Sequence, residues 1–228
     1  MFRVALFAFS MLLVNALGSA QEAPARKEVN CERDPRRSEQ TWETSEEKCL
    51  SELKDVASRS GQTLRLRLEN GNTNTFQNKP CDRYSPSTCT EYTLIGYHPA
   101  QRAFIIEQGF YEDSLVLLVS DRTGNVTTLS TEPKFSPSGR WFVSVDADEM
   151  NGTDYYVTVW STAPNKPKLE LRYHTEKYEY WEFAGWDGDS RIKLKVSAWD
   201  GEGELIGHET DAVLTEQGWK LNWPKPEQ

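Results

Sequence analysis

Three histidines, His98, His174 and His208, are the residues of this 228-residue chain most suited to proton transfer. None stands in an HExxH helix, beside a nucleophile elbow or in a facial-triad spacing. His98 precedes Pro99 at a turn and His208 lies in a strand-like run, so both read as ordinary hydrogen-bonded histidines. Carboxylates are plentiful, with 35 Asp and Glu against 26 Lys and Arg, but no spacing singles out an acid and base pair of the kind glycoside hydrolysis needs. No catalytic residue is named and no cofactor or metal is expected. A carboxylate-dependent hydrolase stays open as an alternative.

Calcium is the next chemistry to weigh. "DADEMNGTD" places Asp146 and Asp148 as a hand-type loop would, yet Met150 falls where an oxygen ligand belongs and the glycine comes one place late. "DGDS", with Asp187 and Asp189, and "DGEGE", with Asp200, Glu202 and Glu204, read equally well as hairpin turns. Stacking of a sugar ring is another chemistry on offer. "YEYWEFAGW" brings Tyr180 and Trp181 side by side; adjacent strand residues point to opposite faces, so one of the two can meet solvent. A carbohydrate-binding module that uses these aromatics is therefore a second alternative.

The four cysteines, Cys31, Cys49, Cys81 and Cys89, form an even set without a CxxC pair. That pattern favours disulfides over zinc or redox chemistry, and the expected pairs are sequence neighbours, Cys31–Cys49 and Cys81–Cys89. An oxidising compartment agrees with the N-terminus. Residues 1–20 carry one cation, Arg3, then an apolar run, then the small residues Gly18 and Ala20. This reads as a cleaved signal peptide, too short to span a membrane, and implies a periplasmic or secreted protein. A formal net charge of −9 argues against nucleic acid and anionic membrane and suits a basic protein partner in the envelope or extracellular space.

The elements that must position these groups follow from pattern. Residues 21–40 lack large apolar side chains and read as a solvated arm. Residues 41–62 read as a helix, with Trp42, Cys49, Leu50, Leu53, Val56 and Ala57 largely on one face. Residues 63–223 read as short strands separated by turn-formers, an antiparallel all-β domain, and residues 224–228 as a tail.

The strands also repeat. "GYHPAQRAFIIEQGFYEDSLVLLVSDRTGNVTTL" lines up with "KFSPSGRWFVSVDADEMNGTDYYVTVWSTAPNKPKLEL", and a looser third copy starts at "AGWDGDS". "FSPSGRWFVSV" resembles the turn-and-strand signature of WD40-like and TolB-type β-propeller repeats. "YHPAQRAFII" matches less closely and the third copy lacks the proline. The resemblance implies a small or incomplete β-propeller of antiparallel sheets with one short N-terminal helix, a scaffold and not an activity.

Aligned, the copies place an acidic hairpin after the first strand of each: "YEDS", "DADEMNGTD" and "DGEGE". Stacked as blades, they would gather Glu112, Asp113, Asp146, Asp148, Glu149, Asp154, Asp200, Glu202 and Glu204 on one face. The expected function is exported, non-catalytic binding of a protein partner, of the inhibitor, immunity or assembly-accessory type.

Overall fold

A computed structural model of the chain describes residues 27–31, 42–80, 88–111, 113–146, 156–163, 166–175, 179–199 and 204–223. Among the described residues the fold is all-β with one helix. Four antiparallel sheets account for it. The first sheet holds β2 (Ala57–Ser60), β3 (Thr63–Arg67) and β4 (Thr73–Gln77). The second is the meander β5 (Glu91–His98), β6 (Ala103–Gly109), β7 (Ser114–Ser120) and β8 (Val126–Leu129), with β1 (Val29–Asn30) added beside β5. The third runs β9 (Lys134–Phe135), β10 (Trp141–Val145), β11 (Val157–Ser161) and β12 (Lys168–Tyr173). The fourth runs β13 (Glu179–Asp187), β14 (Arg191–Trp199), β15 (Leu205–Thr215) and β16 (Gly218–Asn222). The second, third and fourth sheets thus each contain four strands paired in chain order.

Side-chain alternation explains how the sheets stack. In β6, Phe104 and Ile106 pack with Leu64, Leu66 and the helix α1 (Trp42–Glu52), while Ala103 and Ile105 pack on the other face with Phe142 of β10. In the third sheet Phe142 and Trp160 face back to the second sheet, and Val143, Val157 and Val159 face forward to Trp181, Ile192, Leu194 and Val196 of the fourth. A strand buried on both faces needs apolar residues at consecutive positions, as in "AFII", "VLLV" and "WFVSV". The fourth sheet has only one covered face. There β14 alternates strictly, with Ile192, Leu194 and Val196 buried and Arg191, Lys193 and Lys195 exposed.

The N-terminal region differs from the sequence expectation in three places. The helix α1 ends at Glu52, and residues 57–60 form β2. Gly61, within the expected helix, is instead the first residue of the two-residue turn to β3, with φ 56°. Val29, within the expected arm, is buried opposite Tyr97. The helix is held by Cys31–Cys49 and by Glu46, which takes two hydrogen bonds of 2.6 Å from Arg59 and one of 2.8 Å from the Leu94 N–H. Cys89 is disulfide-bonded as well; Cys81, its expected partner, lies outside the described residues, as do the expected signal peptide and tail. Among the described residues no helix is long and apolar enough to cross a membrane.

Candidate functional site

The repeats are fastened to one another at their first turns. Gln101, in the turn between β5 and β6, donates its side-chain amide to the Gly139 carbonyl in the turn between β9 and β10. From that second turn, Ser138 N–H donates to Asp189 (3.0 Å) and the Arg140 guanidinium to the same carboxylate (3.1 Å), in the turn between β13 and β14. Ser138 and Arg140 together hold the Asp189 carboxyl well below the usual carboxylate range. Gly139 takes φ 68° to close its turn, and Arg102 takes a similar left-handed φ of 51° in the preceding repeat. Arg102 is kept there by ion pairs to Glu69 and the buried Asp121, which also accepts from the Tyr97 hydroxyl at 2.6 Å.

Connectivity sets the rest. In an up-and-down meander, turns after the first strand share one end of the sheet and hairpins after the second share the other. The first turns lie at one end, and the strand ends that lead into the hairpins between β6 and β7, β10 and β11, and β14 and β15 (Gly109 and Ser114, Val145 and Val157, Trp199 and Leu205) lie at the opposite end of their sheets. Those are the three acidic hairpins. Of the nine carboxylates expected there, three are described. Asp113 is half-buried and accepts from the Ser114 N–H at 2.6 Å, capping its hairpin beside the exposed Phe110 and Tyr111. Glu204 is exposed at the start of β15. Asp146 is a correction: it is 1 % exposed, because β10 is buried on both faces and its backbone N–H still pairs with Tyr156. It does not belong to an exposed acidic surface. Glu112, Asp148, Glu149, Asp154, Asp200 and Glu202 lie outside the described residues.

The aromatic pair separates as strand geometry requires. Tyr180 is 43 % exposed on the outer face of the fourth sheet, while Trp181 is 1 % exposed in the core. Trp181 cannot offer a stacking face, which corrects its place in the aromatic site. Its indole N–H donates to the buried Glu179 at 3.0 Å, and the Tyr173 hydroxyl donates to the same carboxylate at 3.1 Å. Burial and the Glu179 charge push the Tyr173 phenol above its ordinary range. Tyr180 has a different neighbour, Trp199, 53 % exposed on the same face.

Sequence reasoning missed a cleft of about 340 Å³ where the first strands of three meanders converge. It is lined by Glu28 before β1, His98 of β5, Glu132 and Phe135 at β9, and Phe183 and Trp186 of β13. His98 stacks on Phe135 with ring centres 4.0 Å apart, and burial lowers its pKa against the opposing pull of Glu28. The signal was present in outline, since each lining strand precedes a repeat's turn. The three histidines do not meet: His98 ends β5, His174 follows β12 and His208 lies in β15. Among the described residues no group of His, Cys, Asp and Glu could hold a metal ion. Asp189 is held by Ser138 and Arg140, and Asp187 stands 3.9 Å from Lys193. No protein-family model, curated protein or solved structure matches the chain.

Proposed function

We propose that this chain is an exported, non-catalytic binding protein that captures a basic protein at the hairpin end of its stacked sheets. The observation that supports it is the chain of hydrogen bonds from Gln101 through Gly139 and Ser138 to Asp189. It links the repeats at one end, which supports reading their acidic hairpins as neighbours at the other. A run of carboxylates on equivalent hairpins raises a shared negative potential that speeds encounter with a cationic surface. Phe110 and Tyr111 supply exposed apolar area next to that charge. In this reading the sheets are successive blades of a propeller-type stack. The disulfide between Cys31 and Cys49 agrees with an oxidising, periplasmic or secreted setting.

The test neutralises carboxylates of two of the hairpins. Glu112→Gln with Asp113→Asn neutralises the first hairpin, and Asp148→Asn with Glu149→Gln the second. Asn at 113 keeps the oxygen that accepts from Ser114. A partner is isolated from envelope extract and its association rate is measured across a salt series. The four-site variant should associate roughly tenfold more slowly at low salt and converge with the parent at high salt. Equal rates and equal salt slopes would reduce the acidic hairpins to a solubilising surface.

A further inference from the structure

Eight large apolar side chains are exposed among the described residues, and five of them, Tyr180, Trp199, Leu205, Ile206 and Trp223, surround one half-strand. That half-strand is the beginning of β15, exposed on both faces from Leu205 to Glu209. It pairs with β14 on one side, whereas β16 reaches only Asp211–Thr215 on the other.

Among the described residues no strand pairs with this edge of Leu205–Glu209, and the sequence bears on why. Leu214 donates its N–H to Ser190, toward β14, so the even residues of β15 face β14 and the odd ones face outward. Leu205, Gly207 and Glu209 therefore direct their N–H and C=O groups to the open side. Extending the pairing of Asp211 with Asn222 would place residues 224 and 226 opposite 209 and 207. Both are proline, without the N–H that a strand paired at those positions would donate.

We infer that a second copy of this chain occupies the edge, β15 against β15, to form a two-fold dimer with a continuous sheet. A register centred on Ile206 keeps each side chain on its proper face and pairs Leu205 with Gly207 of the copy, both of which offer outward backbone groups. Ile206 then meets its own copy across the two-fold axis in the close, non-hydrogen-bonded position. On the outer face Leu205 fills the low ground above Gly207 and Ser197 of the copy, between its own neighbour Trp199 and the copy's Tyr180. On the inner face Glu204 stands opposite the copy's His208. Every exposed apolar residue of the strand gains an apolar or small partner, and like charges do not meet across the edge. The contact is dry and small, and it joins two acidic molecules, so salt strengthens it.

Sedimentation velocity and light scattering of the purified protein, from submicromolar to submillimolar concentration, test this. The expected result is a monomer–dimer equilibrium that salt shifts toward dimer. Ile206→Lys places two cations face to face and should raise the dissociation constant by roughly tenfold or more with an unchanged circular dichroism melt. Ile206→Cys should form an interchain disulfide on mild oxidation, because facing Cα atoms in such a pair lie about 4.5–5.5 Å apart, while Lys195→Cys should not. A monomer at every concentration, or a dimer indifferent to Ile206→Lys, overturns the inference. Retention of a monomer on polysaccharide, lost in Tyr180→Ala, would overturn it too and assign the corner to sugar stacking. The capture test above involves neither Ile206 nor the β15 edge, so either reading can fail without the other.

Discussion

The two ends of the stacked sheets are built from the same repeat and do opposite things. At the turn end, Gln101, Ser138, Gly139, Arg140 and Asp189 are committed to one another, sheet to sheet. At the hairpin end, Phe110, Tyr111 and Trp199 face solvent beside carboxylates. Short turns can sit close enough to exchange hydrogen bonds between neighbours. The other ends of β6, β10 and β14 lead into the segments that carry the carboxylates. The sheets are therefore linked at one end, and the other is the end to which the proposal assigns recognition.

One end can align the other only if the sheets unfold as one body, and the largest effect comes from weakening the core between them. Phe142 is fully buried between the second and third sheets, 5.4 Å from the Phe135 ring and 6.0 Å from that of Trp160. Phe142→Ala should cost about 3–5 kcal/mol in denaturant unfolding, the usual range for deleting a core phenyl group. A single transition shared by both ends would confirm one cooperative unit. Two separated transitions would mean that the sheets on either side of Phe142 fold apart, and that turn contacts cannot organise distant hairpins.

A smaller effect is expected where the N-terminal cap is attached. The Cys31–Cys49 bridge closes a segment 18 residues apart in sequence, and Cys49 and Leu53 complete the core over the second sheet. Replacing both cysteines by serine should lower stability by about 3 kcal/mol, mostly through the loop-closure entropy regained by the unfolded chain. Stability from denaturant titration measures it. Glu46 and Arg59 still pin the helix, so the hairpin end should keep its partner-association rate. A loss of association as large as the loss of stability would show that the cap, and not the hairpins, carries recognition.

How much of this was legible depends on what kind of information each feature needs. Strong alternation or long apolar runs announced twelve of the strands, and the repeat was visible in "HPAQR" and "SPSGR". Four strands were not. Only β1's Val29 and β4's Phe76 are large and apolar, β9 is two residues long, and β2 begins at Ala57, which with Val56 before it has a spacing that also fits the preceding helix. Period-two alternation said that Tyr180 and Trp181 part company, but not which goes inside. The fold puts Trp181 inside with Ile192, Leu194 and Val196, where its indole N–H donates to the buried Glu179. Asp146 misled because an acidic loop looks solvated, while the strand before it is enclosed on both faces. Contacts between turns, and the cleft under them, depend on how sheets rotate against each other, which no single repeat encodes.

The smallest effect sharpens the contrast between the ends by acting on one alone. Asp189 accepts from the Ser138 N–H and from Arg140, and these contacts hold its carboxyl below its ordinary value of 3.8. The sign follows from proton linkage. A group with a depressed folded pKa binds fewer protons folded than unfolded, so its contribution is complete above about 3.8 and declines as pH falls below that value. Acidification should therefore loosen the link between the second and third turns. The amide of Ser138 reports it directly: its hydrogen-exchange protection should drop below about pH 4 relative to amides in β14. Asp189→Asn keeps an acceptor for Ser138 but loses the charge facing Arg140, so its protection should start lower at neutral pH and change little on acidification. The contact is exposed, and the thermal midpoint should move only slightly. If Ser138 exchanges identically in the two proteins at every pH, the turn end is held by backbone packing alone, and its alignment of the hairpins does not depend on the Asp189 carboxylate.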